Sequence, residues 1–138
     1  MLNVTTGALS YVNAGHEYPI ICRKGGQYEL YKDNHGAPVA CRKKIKIKLN
    51  EITLNPGDVL YLYTDGITEA TDSELKMFGH ERILEVLNVK KEESVHELDK
   101  AVRAAVDEFV GEADQFDDMT TLCIRYNGPE KGKTKNDT

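Results

Sequence analysis

Three aspartates stand at the ends of β-prone stretches, where their carboxylates are able to bind a metal ion. Asp65 closes an apolar run in the dipeptide Asp65-Gly66, and Asp117 and Asp118 come directly before the last β-prone stretch. If the two strands are neighbours in a sheet, these carboxylates meet at one rim. Hard oxygen ligands of this kind suit Mg²⁺ or Mn²⁺. On spacing alone, a turn at Asp65-Gly66 and a solvated loop at Asp117-Asp118 remain the simpler interpretation.

Other catalytic chemistries have weaker support in the sequence. There is no Gly-x-Ser-x-Gly motif for a nucleophilic serine, and the histidines form no His-Glu-x-x-His pattern for zinc. Cys22, Cys41 and Cys123 are widely spaced and odd in number, which fits a reducing compartment better than a disulfide framework. We therefore expect a cytoplasmic protein. A glycosidase-like pair of carboxylates stays open at this point.

The size and charge of the chain argue against several classes of protein. Its 138 residues suit one domain, and a hydrophobic content of 40% is enough for a core. A net charge of −5 argues against sequence-independent binding of nucleic acid, because such binding needs a basic surface. No apolar run approaches the roughly 20 residues that cross a bilayer, so we expect no membrane contact by this segment. The polar, lysine-rich segment 128–138 is expected to be a disordered tail.

The first half of the chain predicts short strands. Runs of β-prone residues at 8–13, 18–23 and 27–31 alternate with turn residues and suggest an antiparallel meander. Residues 44–49 alternate lysine with aliphatic residues, which predicts a half-buried strand whose lysines face solvent. These lysines are better explained as a soluble sheet edge than as a phosphate site. Residues 59–63 are apolar on both faces, so they are expected to form the central strand.

The second half predicts two amphipathic helices and a final strand. Apolar residues at 83, 84 and 87, and again over 95–109, follow helical spacing, with Ser94 and Glu97 placed as a capping box. A β-prone stretch returns at 119–126. This order of elements has no repeated βαβ unit, so it favours an α+β fold over a doubly wound parallel sheet.

Six short motifs follow one another along residues 7–126. They are Tyr11-Val12-Asn13-Ala14-Gly15-His16, Gly36-x-Pro38, Leu54-x-Pro56-Gly57-Asp58, Tyr63-Thr64-Asp65-Gly66-Ile67-Thr68-Glu69-Ala70, Phe78-Gly79-x-Glu81-Arg82 and Asp117-Asp118-Met119-Thr120. Each motif alone is weak evidence, but the ordered set is specific. Together they resemble the SpoIIE-like branch of the PPM-type serine/threonine phosphatases, which are metal-dependent bacterial regulators of sigma factors.

The resemblance implies a fold and a metal site. The family fold is an antiparallel β-sandwich flanked by helices in α-β-β-α layers, with a two-metal Mn²⁺ or Mg²⁺ site at one edge. By resemblance, Asp65 and Asp117 are metal ligands, Gly66 adjoins the site, and Asp118 is a neighbour or the alternative ligand. Two such ions sharing a water lower its pKa and hold it in line with the phosphorus of a phosphoserine or phosphothreonine.

A further motif lies in the early part of the chain. Asn13, Gly15 and His16 resemble a turn between early strands of the family. His16 is a candidate acid near the leaving group, although a structural turn is the simpler interpretation.

One element of the family pattern is missing from this sequence. Family members carry an earlier Asp-Gly or Gly-Asp metal motif on preceding strands, and Asp65-Gly66 is the only Asp-Gly in this sequence. We therefore expect residues 1–127 to be the C-terminal part of an incomplete domain, inactive by itself.

Such an incomplete domain also implies particular partners. We expect it to form homo-oligomers through exposed sheet surface. The expected substrate is a phosphoprotein of the anti-sigma-factor antagonist type. A non-catalytic binding module on a degenerate phosphatase fold, or a structural Ca²⁺ or Mg²⁺ site, are the alternatives.

Overall fold

Six strands and three helices make up the described part of the chain. The computed structural model describes residues 1–34, 36, 48–113 and 117–129. Pro38, Cys41, the predicted strand residues 44–47 and the tail from 130 onward lie outside them. In chain order the elements are β1 (Ala8–Val12), β2 (Ile20–Cys22), β3 (Tyr28–Leu30), β4 (Leu49–Thr53), β5 (Val59–Tyr63), α1 (Asp65–Thr68), α2 (Gly79–Val89), α3 (Val95–Val110) and β6 (Thr121–Arg125).

The strands form two antiparallel sheets. One has four strands in the order β3-β2-β5-β6, and the other consists of β1 and β4. β5 pairs with β2 on one side and with β6 on the other. The prediction that residues 59–63 form a central strand is therefore confirmed, and four of those five residues are buried.

One face of the four-stranded sheet is covered by helices. Tyr61 of β5 is fully buried there against α2 and α3, whose apolar sides form the rest of the core. The predicted start of α3 is confirmed, because Ser94 Oγ accepts a hydrogen bond of 3.2 Å from the Glu97 N–H. The members of this core from α2 and α3 with no measurable exposure are Ile83, Leu87, Leu98 and Val102.

The opposite face of the four-stranded sheet looks toward β1 and β4. Between the two sheets lies a cavity of about 330 Å³, and the described side chains that line it are mostly apolar. Leu122 of β6 faces this cavity and is 51% exposed. The two sheets therefore stack as a sandwich whose interior is only partly filled. Other apolar residues that line the cavity are Leu9 and Tyr11 from β1 and Leu60 and Leu62 from β5.

A turn between β4 and β5 connects the two sheets. The Asp58 carboxylate, which is almost fully buried, accepts hydrogen bonds from the N–H groups of Asn55 and Lys24, both at 2.9 Å, and from Arg23 at 2.6 Å. Burial by itself would raise the pKa of the Asp58 carboxyl, but these donors outweigh it and hold the pKa below its usual range. Arg23 also donates to the Thr53 carbonyl at 2.7 Å, so the same cluster holds the end of β4.

Several predictions about the elements are confirmed and one is corrected. The α+β class, the antiparallel sheets and both long helices are confirmed. The meander is wrong, because β1 pairs with β4 and only β2 and β3 form a hairpin. Most of the strand expected at 44–49 lies outside the described residues, and within them β4 runs from Leu49 to Thr53. Helix α1 was not predicted.

The layers of the described residues run from helices to the four-stranded sheet to the two-stranded sheet. These are three of the four layers in the α-β-β-α arrangement that the resemblance implies. Within the described part of the chain, none of the helices combines the length and apolar character needed to span a bilayer.

Candidate functional site

The candidate metal site lies at the rim where β5 ends and β6 begins. The two strands pair in register from Val59 opposite Arg125 to Tyr63 opposite Thr121. Asp65 follows the end of β5 by two residues, and Asp117 precedes β6 by four. The strands are thus neighbours, as the convergence of these carboxylates requires, and all three predicted aspartates lie on exposed positions.

Thr64 ties the two sides of this rim together. Its N–H donates to the Thr120 carbonyl at 3.1 Å, and its Oγ1 accepts from the Thr120 N–H at 3.1 Å. The same hydroxyl lies 3.2 Å from the carbonyl oxygen of Asp118 and donates to it. These three bonds extend the β5–β6 pairing past the last strand residues, which places the segment holding Asp117 beside the one holding Asp65.

Gly66 allows the closest approach at this rim. It is buried, and a Cβ at this position would overlap the carbonyl oxygen of Asp118. The glycine after Asp65 is therefore required by the packing of two backbones rather than by a special turn conformation. The Asp65-Gly66 pair begins helix α1, so the structure places this dipeptide in a short helix and not in the simple turn of the alternative interpretation.

Asp117 and Asp118 play different parts in the local structure. Asp117 Oδ1 accepts a hydrogen bond of 2.7 Å from the Asp118 N–H. The Asp118 carbonyl packs against Gly66 and Thr64. Asp118 thus contributes through its backbone to the joined rim.

The donor atoms at this rim agree in type with the metal ions that the sequence suggests. Carboxylate oxygens are the ligands that Mg²⁺ and Mn²⁺ prefer. Asp65 and Asp117 supply such oxygens at exposed positions. Among the described residues, however, there is no group of three or more His, Cys, Asp or Glu side chains placed to hold an ion. The described residues of the rim therefore offer carboxylate oxygens of a suitable type, but no group able to hold an ion by itself.

A second cavity adjoins the rim. Its volume is about 340 Å³, and it lies between the Gly66 and Asp117 segments and the C-terminal half of α3. Val106 and Val110 form part of its apolar wall, while Glu69 and Asp107 stand at its edge. Beside the carboxylates there is consequently a recess large enough for an amino-acid side chain.

Asn13 and Gly15 stabilise the backbone of the predicted turn that also contains His16. Asn13 is buried, its Oδ1 accepts from the His16 N–H at 2.8 Å, and its Nδ2 donates to the Glu17 carbonyl at 3.2 Å. Gly15 has a φ of 93°, a left-handed conformation that favours glycine. The His16 side chain is exposed and lines the cavity between the sheets, whose edge also includes Thr64.

Sequence reasoning missed a polar cluster behind Asp65. Glu17 Oε1 accepts from Thr68 Oγ1 at 2.9 Å, and Glu17 Oε2 lies 2.8 Å from His80 Nε2. In the sequence, Glu17 lies 51 positions before Thr68 and 63 positions before His80, so no spacing rule links them. The only available signal was that Glu17 adjoins one motif and Thr68 lies within another.

Comparison with known proteins identifies the family. The sequence model described as Stage II sporulation protein E (SpoIIE) matches residues 1–127. The chain belongs to the SpoIIE family. Protein IcfG from Synechocystis sp. is 30% identical over 127 residues, which are 92% of this chain and 20% of IcfG.

Solved structures show the same fold. The SiaA-PP2C domain of Pseudomonas aeruginosa matches with a TM-score of 0.67 at 22% identity, covering 88% of this chain and 47% of that one. The phosphatase domain of SpoIIE from Bacillus subtilis, in a structure presoaked with Mn, matches with a TM-score of 0.70 at 16% identity, covering 92% and 54%. This chain therefore spans about half of each of these two structures and a fifth of IcfG.

Proposed function

We propose that this chain forms part of a metal-dependent phosphatase domain that hydrolyses phosphoserine or phosphothreonine on a regulatory protein. The observation that carries the proposal is the rim at which β5 and β6 bring the Asp65 and Asp117 segments together. Membership of the SpoIIE family supports the reaction class. The substrate type, an anti-sigma-factor antagonist, is supported by the sequence resemblance.

In this proposal Asp65 and Asp117 are the residues that hold the ions. When bound, two divalent ions supply an activated water and neutralise the charge of the phosphoryl oxygens. Asp65 holds its carboxylate at the first turn of α1, which leaves the side chain in solvent where a phosphoprotein has access. Thr64 and Gly66 keep the opposing Asp118 segment close, so the separation of the two carboxylates is set by backbone contacts.

The recess beside the rim is suited to a residue that flanks the phosphorylated one. Its apolar wall at Val106 and Val110 accommodates aliphatic carbons, and the carboxylates of Glu69 and Asp107 disfavour an acidic side chain at its edge. His16 remains a candidate acid near the leaving group, since it is exposed at the edge of the neighbouring cavity.

The test is hydrolysis of a phosphoserine peptide by the full-length protein with Mn²⁺. We expect Asp65→Asn to lower kcat by about a thousandfold, since loss of a charged ligand weakens ion binding and the stabilisation of the transition state, an effect of the size seen for key electrostatic groups. Glu108→Gln, a change at an exposed position of α3, is the matched control and should leave kcat unaltered. Equal rates for Asp65→Asn and the unmodified protein would overturn the proposal.

The 138-residue chain by itself is expected to show little turnover, because its described residues supply two carboxylates at the rim and no complete group of ligands. Strong turnover by this chain, abolished by Asp65→Asn, would contradict that expectation. Binding of Mn²⁺ to the full-length protein without any turnover would instead favour a non-catalytic module.

A further inference from the structure

Glu17 stands at the end of the turn that Asn13 organises. The Asn13 side chain holds the backbone of this turn through the His16 N–H at 2.8 Å and the Glu17 carbonyl at 3.2 Å. The Glu17 side chain is only 21% exposed, so its carboxylate sits largely out of water. A carboxylate in that position needs partners for both oxygens, and each oxygen has one.

The partners of Glu17 lie on two different helices. Glu17 Oε1 accepts from Thr68 Oγ1 at 2.9 Å, and Thr68 is the buried last residue of α1. Glu17 Oε2 lies 2.8 Å from Nε2 of His80, which is in the first turn of α2. One side chain thus connects the early turn to both helices that follow the candidate metal rim.

These contacts reach both sides of Asp65. On the C-terminal side, Thr68 Oγ1 is 3.3 Å from the Asp65 carbonyl oxygen, within the single turn of helix that Asp65 begins. On the N-terminal side, the His80 ring packs edge-on against Tyr63, the last residue of β5, with ring centroids 6.0 Å apart.

We propose that Glu17 is a positioning residue for Asp65: through Thr68 and His80 it fixes helix α1 against the end of β5 and so sets where the Asp65 carboxylate points. A four-residue helix has too few internal hydrogen bonds to hold its own place. The inference rests on the proposed function in one respect, which is that Asp65 binds a metal ion.

The first test needs neither metal nor activity. In the 138-residue chain, the Glu69 N–H bonds the Asp65 carbonyl at 2.8 Å and reports on α1, while the Tyr126 N–H bonds the Asp58 carbonyl at 2.9 Å and reports on the sheet. We expect Thr68→Val, which keeps the shape but loses the hydroxyl, to speed amide exchange at Glu69 about tenfold and to leave Tyr126 unaltered. Thr68→Ser keeps the hydroxyl and should remain within about twofold of the unmodified chain.

Glu17→Ala, which also removes the His80 contact, should speed exchange at Glu69 at least as much as Thr68→Val. The double variant should be little faster than Glu17→Ala, because the two changes share the Glu17–Thr68 contact. Faster exchange at Glu69 and Tyr126 alike, or no change at Glu69, would overturn the inference. Exposed Glu74, which pairs with Lys76 at 2.5 Å, provides the control variant Glu74→Gln.

The second test separates positioning from a merely structural role. In the full-length protein, Thr68→Val should raise the Mn²⁺ concentration for half-maximal hydrolysis about tenfold, with an unchanged KM for the phosphopeptide, and Thr68→Ser should restore it. An unchanged Mn²⁺ requirement would contradict positioning. If the full-length protein hydrolyses no phosphopeptide, the proposed function fails, and the exchange data alone still decide whether Glu17 fixes α1.

Discussion

The two faces of the four-stranded sheet differ in how well this chain covers them. On one face, α2 and α3 bury Tyr61 and Leu98 with no measurable exposure. On the other, a cavity of about 330 Å³ separates the sheet from β1 and β4, and Leu122 is half exposed. The same strand, β5, contributes alternate side chains to both. The difference shows that a continuous apolar run in a strand specifies two buried faces, while the partner that fills each face is specified elsewhere.

The largest expected effect comes from truncating one leucine on each face. Leu98→Ala should reduce the free energy of unfolding by about 3 kcal/mol, because it leaves a cavity in a filled core. Leu122→Ala should reduce it by less than about 1 kcal/mol, because its side chain is already half in solvent. Urea unfolding of the two variants measures both values. Equal losses would show that the two faces are equally well packed in solution.

The next largest expected loss of stability comes from changes in the turn that joins the two sheets. Asp58→Ala should cost about 3 kcal/mol, since it leaves the Asn55 and Lys24 N–H groups and Arg23 without their acceptor. Arg23→Gln is the matched control and should cost less, because both backbone bonds remain and Arg23 is half exposed. If Arg23→Gln lowers the free energy of unfolding as much as Asp58→Ala does, the cluster stabilises the fold mainly through the Arg23–Asp58 ion pair and not through the two backbone hydrogen bonds.

The same residue gives the stability a pH dependence with a definite sign. The pKa of Asp58 is lowered from its ordinary value of 3.8 in the folded chain. Its contribution is therefore fully present well above pH 4 and is lost as the pH falls through the folded pKa. The difference in unfolding free energy between the unmodified chain and Asp58→Ala should be larger at pH 7 than at pH 3, measured in urea at both values. A constant difference would contradict this assignment.

The smallest effect tests what the open face does in solution. Its exposed apolar surface is expected to make the 138-residue chain self-associate, as the sequence suggests. Leu122→Lys should weaken that association about tenfold, and Val89→Lys, at an exposed apolar position of α2, is the control. Sedimentation equilibrium measures the association constant. Equal weakening by both changes would indicate association that does not use the cavity face.

Periodicity predicted the filled face well. The apolar spacing in α2 and α3, the Ser94 cap and the doubly apolar run of β5 are local signals, and each specified its element with little help from the rest of the chain. They also placed Asp65 and Asp117 at the ends of two strands, whose pairing only the structure shows. The metal role of these aspartates remains a prediction.

The open face and the cluster behind Asp65 were harder to predict. β4 contains a buried polar residue, Asn50, whose side chain exchanges hydrogen bonds with the backbone of Asn34 at 2.8 and 2.9 Å. A strand whose buried position is held by a polar residue gives no apolar alternation by which to predict it. The pairing of β1 with β4, and the contacts of Glu17 with Thr68 and His80, join distant parts of the sequence and have no local signature.

Gly66 has a consequence for how variants of this family member should be interpreted. Because a Cβ at this position would overlap the Asp118 carbonyl, any other residue there pushes the two sides of the rim apart. In a mutational scan that measures activity alone, substitutions at Gly66 and at Asp65 would cause similar losses. Those at Gly66 would act by moving the backbone, and those at Asp65 by removing a charge. A loss at Gly66 therefore says nothing about metal chemistry, and only changes at Asp65 that preserve its volume are informative about it.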